Sequence, residues 1–173
     1  MPKELSNFAF IDGQNFYTSL TEIEKSLEQL EVTLDLDELR IHLKEKHGVK
    51  TALYFIGYVP KFWRLYERLK ASGYELEYKE IAVHDGEIKG NVDVNLTLHS
   101  LIRLEEYEKA VIMTSDGDYA CLVEYLADHN KLECLIACSR DGSSHLLRKL
   151  HYKIKIFYLD DIIRDLYKRK ETS

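Results

Sequence analysis

Apolar positions along the chain alternate between short continuous runs and longer stretches with helical spacing. Phe8-Ala-Phe-Ile11, Thr51-Ala-Leu-Tyr-Phe-Ile-Gly57, Ala110-Val-Ile-Met113 and the stretch Leu132 to Cys138 are β-rich and too short for helices, so each predicts a buried strand. Tyr74 to Lys79 sets Tyr, Leu and Tyr against Glu, Glu and Lys, the pattern of a half-exposed strand near a sheet edge. Tyr152 to Tyr158 begins in the same way, with Lys153 and Lys155 at the polar positions.

Helical spacing fills the intervals. Phe16, Leu20, Ile23, Leu27 and Leu30 form one apolar stripe, with Asp12 or Asn15 near its start. A second helix runs from about Asp35 to His47 and stops at Gly48, a suitable left-handed cap. Pro60 begins a third, with Trp63, Tyr66 and Leu69 inward and Gly73 closing it. His84 to Gly90 is polar and reads as a loop. Asn91 then caps a helix whose inner face is Val94, Leu98, Leu101 and Ile102. Tyr119, Leu122, Val123 and Leu126 mark the next helix, to about Asn130. Ser143 or Ser144 opens a short one with Leu146, Leu147 and Leu150. Asp160 or Asp161 caps the last, and Lys168-Arg-Lys170 places cations at its C-terminus, where the helix dipole favours them.

Strands separated by helices, several of them apolar throughout, imply a doubly wound, three-layer α/β/α fold with a mainly parallel central sheet. Ligands of such sheets sit beyond the carboxyl ends of the strands, where strand order reverses. Asp12 and Asp116 fall at such ends, after the first and fourth strands.

Composition narrows the class. With 173 residues the chain can bury a full core as one domain, its motif-bearing part spanning about 7–160 and residues 168–173 expected as a flexible tail. A formal net charge of -6 argues against a general nucleic-acid coat but leaves room for a local basic groove. Cys121, Cys134 and Cys138 lie in apolar runs without metal-ligand spacing and are expected as buried reduced thiols. The N-terminus lacks a signal-peptide pattern, and no run approaches the roughly 20 apolar residues of a membrane helix. A cytoplasmic protein without membrane association is expected.

The acids carry the chemistry. Singly, each has a structural use: Asp118 as a helix cap, Asp93 in a first helical turn, Asp12-Gly13 and Asp116-Gly117 as turns. Jointly, the topology gathers them in one cleft. Like charges about 4 Å apart repel by about 4 kcal/mol at an effective dielectric near 20. Such a group is kept neutral by raised pKa values or balanced by a divalent cation. Oxygen-only ligands point to a hard ion, Mg²⁺ or Mn²⁺, suited to phosphodiester hydrolysis.

The motifs Phe-Ile-Asp12-Gly-Gln-Asn15, Lys89-Gly-Asn-Val-Asp93-Val and Thr114-Ser-Asp116-Gly-Asp118-Tyr, in this order, resemble those of the NYN domain, the LabA-like branch of the PIN-like nuclease superfamily. The resemblance implies a sheet of strand order 3-2-1-4-5 and metal-dependent ribonuclease activity on RNA. It implies catalytic and metal-binding roles for Asp12, Asp93, Asp116 and Asp118, with Asn15, Thr114 and Ser115 in supporting positions and Lys89 near phosphate. His99 stands where many relatives carry a further acid; it is expected in the core or at the surface.

Beyond the acids, the loop Ser139-Arg140-Asp-Gly-Ser143-Ser144-His145 offers glycine, hydroxyls and a helix start for phosphate contact through Arg140, Ser143 and Ser144; a capped surface turn accounts for it equally well. Lys44, Lys46, His47 and Lys50 read as a solvated face. Of the 12 tyrosines, most, including Tyr66 and Tyr125, fit core faces, although unpaired bases could stack on such rings. The Tyr-rich edge strands would suit a homodimer. Two other functions compete: a PIN-like module that binds RNA or protein without cutting, and a haloacid-dehalogenase-like phosphatase. The latter wants Asp-x-Asp after the first strand, where this chain has Gln14.

Overall fold

The computed structural model of the chain describes residues 6–18, 35–79, 82–84, 87–89 and 92–171. Strand β1 is Asn7–Asp12, and helix α1 starts at residue 13 and is described to residue 18. Helix α2, Leu36–His47, follows the predicted boundaries. Asp35 caps it by accepting from the backbone of Asp37 and Glu38, and Gly48 ends it at φ 63°, where a side chain would be strained. Then come β2 (Val49–Gly57), a 3₁₀ turn (Pro60–Phe62), α3 (Trp63–Ala71), β3 (Glu75–Lys79), β4 (Ala82–His84), β5 (Glu87–Lys89) and α4 (Val92–Ile102). The second half holds β6 (Ala110–Met113), a 3₁₀ turn (Gly117–Tyr119), α5 (Ala120–Asp128), β7 (Leu132–Ala137), α6 (His145–Arg148), a further 3₁₀ turn (Lys149–Tyr152), β8 (Ile156–Tyr158) and α7 (Leu159–Glu171).

Six strands form one sheet in the order β3-β2-β1-β6-β7-β8, and every neighbouring pair is parallel. Counted within the sheet this is 3-2-1-4-5-6, the expected order extended by one edge strand. The fold is the three-layer α/β/α arrangement. Strand β1 lies at the reversal point, paired on one side with β2 and on the other with β6. It is buried on both faces. Ala9 and Ile11 join a core with Leu39, Leu43, Tyr66, Leu69 and Ile162, under α2, α3 and α7. Phe8 and Phe10 join the opposite core, with Leu96, Tyr107, Tyr119, Leu122 and Leu147, under α4, α5 and α6. The two-residue period of a strand puts Asp12 on this second face.

Several expectations change. Of the first helical stripe, Phe16 is buried, while Leu20, Ile23, Leu27 and Leu30 lie outside the described residues, as does Asn91. The stretch read as a loop, His84 to Gly90, holds the last residue of β4 and all of β5, which pair as an antiparallel hairpin. The strand expected from Tyr152 begins only at Ile156, because Lys149–Tyr152 closes as a 3₁₀ turn. Helix α7 starts at Leu159, so Asp160 and Asp161 occupy its first turn rather than its cap, and it continues to Glu171.

The largest correction concerns α4. Val94, Leu98, Leu101 and Ile102 are exposed, and Leu96 and Ser100 face the core instead. Leu96 and Ser100 follow Asp93 by three and seven positions, one helical face. That face turns inward with Asp93 on it, and the sequence's other apolar stripe is left outside.

Smaller corrections follow the same logic of local packing. Trp63 is 56% exposed, although Tyr66 and Leu69 on the same helix are buried. Trp63 opens α3 directly after the 3₁₀ turn that follows β2. His47 is buried, not solvated: it continues the Leu36, Leu39, Leu43 stripe of α2, and its ring packs against Phe157. Tyr125 is exposed and stacks on His129. Cys121 is exposed, whereas Cys134 and Cys138 are buried free thiols. Among the described residues no helix is long and apolar enough to cross a membrane.

Candidate metal centre

The pairing of β1 with β6 ends on Ile11 opposite Met113, so the next residue of each strand leaves the sheet at the same level. These are Asp12 and Thr114. The Thr114 hydroxyl donates to Asp12 Oδ2 at 2.9 Å, and the Asn15 backbone N–H donates to Oδ1 at 3.1 Å. Asp12 is 3% exposed. Burial raises its pKa from 3.8 to about 6; the two hydrogen bonds counteract this, and the negative charges of Asp93 and Asp116 add to it. Gly13 is held tightly here. A Cβ at that position would overlap the Tyr54 ring and the Phe55 carbonyl oxygen, and Tyr54 donates its hydroxyl proton to the Gly13 carbonyl at 3.2 Å.

Beyond Thr114 the chain turns sharply. Asp116 caps the 3₁₀ turn, accepting from the Asp118 N–H at 3.0 Å, and its own N–H donates to Thr114 Oγ1 at 3.1 Å. The cap is therefore Asp116, not Asp118, whose carboxylate is left exposed. From the facing layer, the first turn of α4 brings Asp93. Carboxylate oxygens of Asp93, Asp116 and Asp118 all lie within 4.8 Å of one another. Asp12 is not in that set. It sits deeper, close enough for Asp93 and Asp116 to act on its charge.

Tyr119 is the member that the sequence pattern hid, since its spacing reads as one more apolar helix position. Its side chain is 1% exposed, and its hydroxyl donates to Asp93 Oδ1 at 2.9 Å. Burial first, then the charges of Asp12, Asp93 and Asp116, push its ionisation upward, so the phenol stays a donor. It therefore fixes the rotamer of Asp93. Removing that hydroxyl with Tyr119→Phe is expected to weaken divalent-metal affinity about 10- to 100-fold, the usual effect of losing a group that orients a ligand. Metal titration followed by thermal shift would measure it, and an unchanged midpoint would show that Asp93 needs no such support.

The supporting residues are also placed. Asn15 Oδ1 accepts from the Ser115 N–H at 2.8 Å, tying α1 to the β6 turn. Ser115 Oγ accepts from the Cys138 N–H at 2.8 Å, and its carbonyl accepts from the Ser144 N–H at 2.9 Å. Two of the three loop residues expected to contact phosphate are engaged elsewhere. The Arg140 guanidinium lies 4.4 Å from the Tyr158 ring and 3.4 Å from Asp161 Oδ2. The Ser143 hydroxyl is buried and donates to the Arg140 carbonyl at 3.2 Å. Ser144 caps α6 and packs on Gly117, where an added Cβ would overlap its hydroxyl, so it borders the acidic turn. His99 stands edge-on to Phe55, with ring centroids 5.4 Å apart. Lys89 closes β5, and its side chain lies outside the described residues.

Residues 8–157 match the family model of the NYN domain. The chain belongs to the NYN family. Among solved structures, this NYN domain is similar to VPA0982, a protein of unknown function from Vibrio parahaemolyticus RIMD 2210633. The two share 20% identity and a TM-score of 0.67 over 93% of this chain and 97% of the other, a likeness of fold. No curated protein matches the sequence. The acidic cluster of this NYN domain fits a nuclease of the PIN-like superfamily.

Proposed function

We propose that the domain is a metal-dependent endoribonuclease using Mg²⁺ or Mn²⁺. The observation that carries this reading is the convergence of Asp93, Asp116 and Asp118, from two separate layers, with ligand oxygens within 4.8 Å of one another. Two half-buried carboxylates at such a distance repel by about 3.5 kcal/mol at an effective dielectric near 20, more than a capping hydrogen bond returns. An all-carboxylate donor set suits a hard divalent cation, and such an ion supplies an activated water and charge neutralisation in phosphodiester hydrolysis.

Each residue then has a task of its own. Asp93, Asp116 and Asp118 would hold the ion, with Tyr119 orienting Asp93. Asp12, buried behind them with its pKa raised to about 6, is poised near neutral pH to hold or release a proton at its carboxylate, or to complete the ligand set. Thr114 and Asn15 keep its oxygens aimed. The placement of these groups at the sheet's reversal point, on the carboxyl edge, also supports a substrate cleft there. Ser144, beside the acidic turn, is the best placed of the predicted phosphate contacts.

The test is cleavage of a single-stranded RNA by the purified protein. Activity is expected to begin on addition of Mg²⁺ or Mn²⁺ and to stop in excess chelator. Cleavage that persists in chelator would refute the metal-dependent reading, and no cleavage with either ion would leave a module that binds without cutting.

A further inference from the structure

At and beyond the carboxyl ends of β2 and β3, on the layer of α1 and α3, the surface is unusually aromatic. Tyr17 is 44% exposed, Tyr58 50%, Trp63 56% and Tyr78 41%. These are large apolar rings at a protein surface, in two groups: Tyr58 and Tyr78 around Tyr66, and Tyr17 beside Phe62, the residue before Trp63. Tyr58 and Tyr78 meet edge to face at 5.5 Å between centroids, and Tyr17 lies 5.8 Å from Phe62. Along the chain the patch follows the elements that carry the acidic site: Tyr17 is two residues beyond Asn15, and Tyr58 is three beyond Phe55, the register partner of Asp12.

Cations lie among these rings. The Lys61 ammonium lies 5.0 Å from the Phe62 centroid, and the Arg64 guanidinium 5.4 Å from that of Trp63. Both cations are exposed, and neither makes an ion pair with an acid among the described residues. Lys70, 5.9 Å from the Tyr78 ring, is engaged by Glu67 at 3.4 Å. In a chain of net charge -6, such a local excess of cations among exposed rings is a departure from the average surface.

The patch is also held in shape. The Tyr66 hydroxyl receives the Val59 N–H at 3.0 Å and lies 3.3 Å from the Gly57 carbonyl, clamping the turn that carries Tyr58. The Tyr58 N–H donates to the Lys79 carbonyl at 3.2 Å. Rings fixed before binding lose little freedom on binding.

We propose that Tyr17, Tyr58, Trp63 and Tyr78 form a stacking platform for the bases of single-stranded RNA, with Lys61 and Arg64 contacting its phosphates, and that the platform leads the strand to the acidic site. Exposed rings interleaved with exposed cations that pair with no acid among the described residues match a strand that has both base faces and a charged backbone to offer, and a duplex hides those faces. The proposal rests on the nuclease reading for the destination of the strand, but the binding itself needs no metal.

The experiment therefore uses a labelled single-stranded RNA of about ten nucleotides, within the site sizes usual for such platforms, in chelator, where cleavage is off. Trp63 is the only tryptophan, so its fluorescence reports stacking directly. Saturating RNA is expected to quench it, with the duplexed sequence binding more weakly. Trp63→Ala and Tyr58→Ala are each expected to weaken binding about 5- to 150-fold, which corresponds to about 1–3 kcal/mol per stacked base. Tyr152→Ala, an exposed ring elsewhere, should leave it unchanged. The logarithm of affinity should fall against that of salt with a slope of about -1.4, for two phosphates at 0.7 each.

Unchanged Trp63 fluorescence at saturation, or wild-type affinity in Trp63→Ala, would overturn the proposal. So would self-association that Trp63→Ala abolishes while RNA binding persists, which would make the patch a protein interface. Lost cleavage with intact quenching would sink the nuclease reading alone; intact cleavage without quenching would sink the platform alone.

Discussion

Asp116→Asn is expected to lower metal-dependent RNA cleavage by at least about a hundredfold, because a metal centre supplies several kcal/mol of transition-state stabilisation. The substitution is close to isosteric. Its remaining carbonyl oxygen can still accept from the Asp118 N–H, and the Asp116 N–H still donates to Thr114, so the turn should keep its shape. What changes is one negative charge and one anionic oxygen in a cluster of three. Wild-type protein at a metal concentration a hundredfold above its Kd gains about 2.7 kcal/mol of stability by mass action. The variant should lose most of that gain while melting near the wild-type temperature in chelator. Initial rates on labelled RNA, beside melting curves with and without Mn²⁺, separate a damaged site from a damaged fold. Wild-type rates in the variant would remove Asp116 from the site.

The sequence announced most of the scaffold because its signals were redundant. β1, β2, β6 and β7 are apolar on both faces, as only strands covered by two helical layers can be, and Asp35 and Gly48 bracket α2 with a cap at each end. The convergence of acids was legible for the same reason: a parallel sheet fixes which strand ends share an edge. Their grouping was not. Whether Asp12 stands with the other three or behind them depends on side-chain depth, which strand topology does not encode.

Ambiguity also arose where two apolar stripes competed. In α4 both Val94, Leu98, Leu101 and Leu96 with its neighbours could face inward, and hydrophobicity alone favoured the wrong one. The observed rotation is the one that lets Asp93 meet Tyr119 and Ser100 meet Tyr107, polar contacts that hydrophobic spacing does not register. Trp63 and His47 show the complementary limit. Helical spacing says which residues share a stripe, but not where the sheet beneath it stops. His47 remains over strands β7 and β8, near Cys134 and Phe157, and is buried; Trp63 lies past the end of β2 and is not.

Asp12→Asn is expected to stabilise the protein in chelator near pH 7.5, the opposite of what most buried substitutions do. The sign follows from the raised pKa. Because the folded pKa of about 6 exceeds the unfolded value of 3.8, the folded state binds the proton more tightly. This contribution to stability is fully present below about pH 3.8 and is lost as pH rises through about 6. At pH 7.5 the folded protein bears a buried carboxylate that burial and its acidic neighbours disfavour. A shift of this size corresponds to about 3 kcal/mol at most, and loss of one of the two hydrogen bonds to Asp12 offsets about 1 kcal/mol. A net gain of about 2 kcal/mol would raise the melting temperature by roughly 4–8 °C in a domain of this length. The difference between wild-type and variant stabilities should be nearly flat above about pH 7 and should shrink steadily as pH falls from about 6 to 4. With saturating Mn²⁺ the order should reverse, since the charge that burdens the metal-free protein is then balanced by the cation. Paired denaturation curves across pH 4–8, with chelator and with Mn²⁺, would measure both effects. A variant that is less stable than wild type in chelator at pH 7.5 would show that the Thr114 and Asn15 hydrogen bonds outweigh burial, and that Asp12 is held ready for a cation without strain.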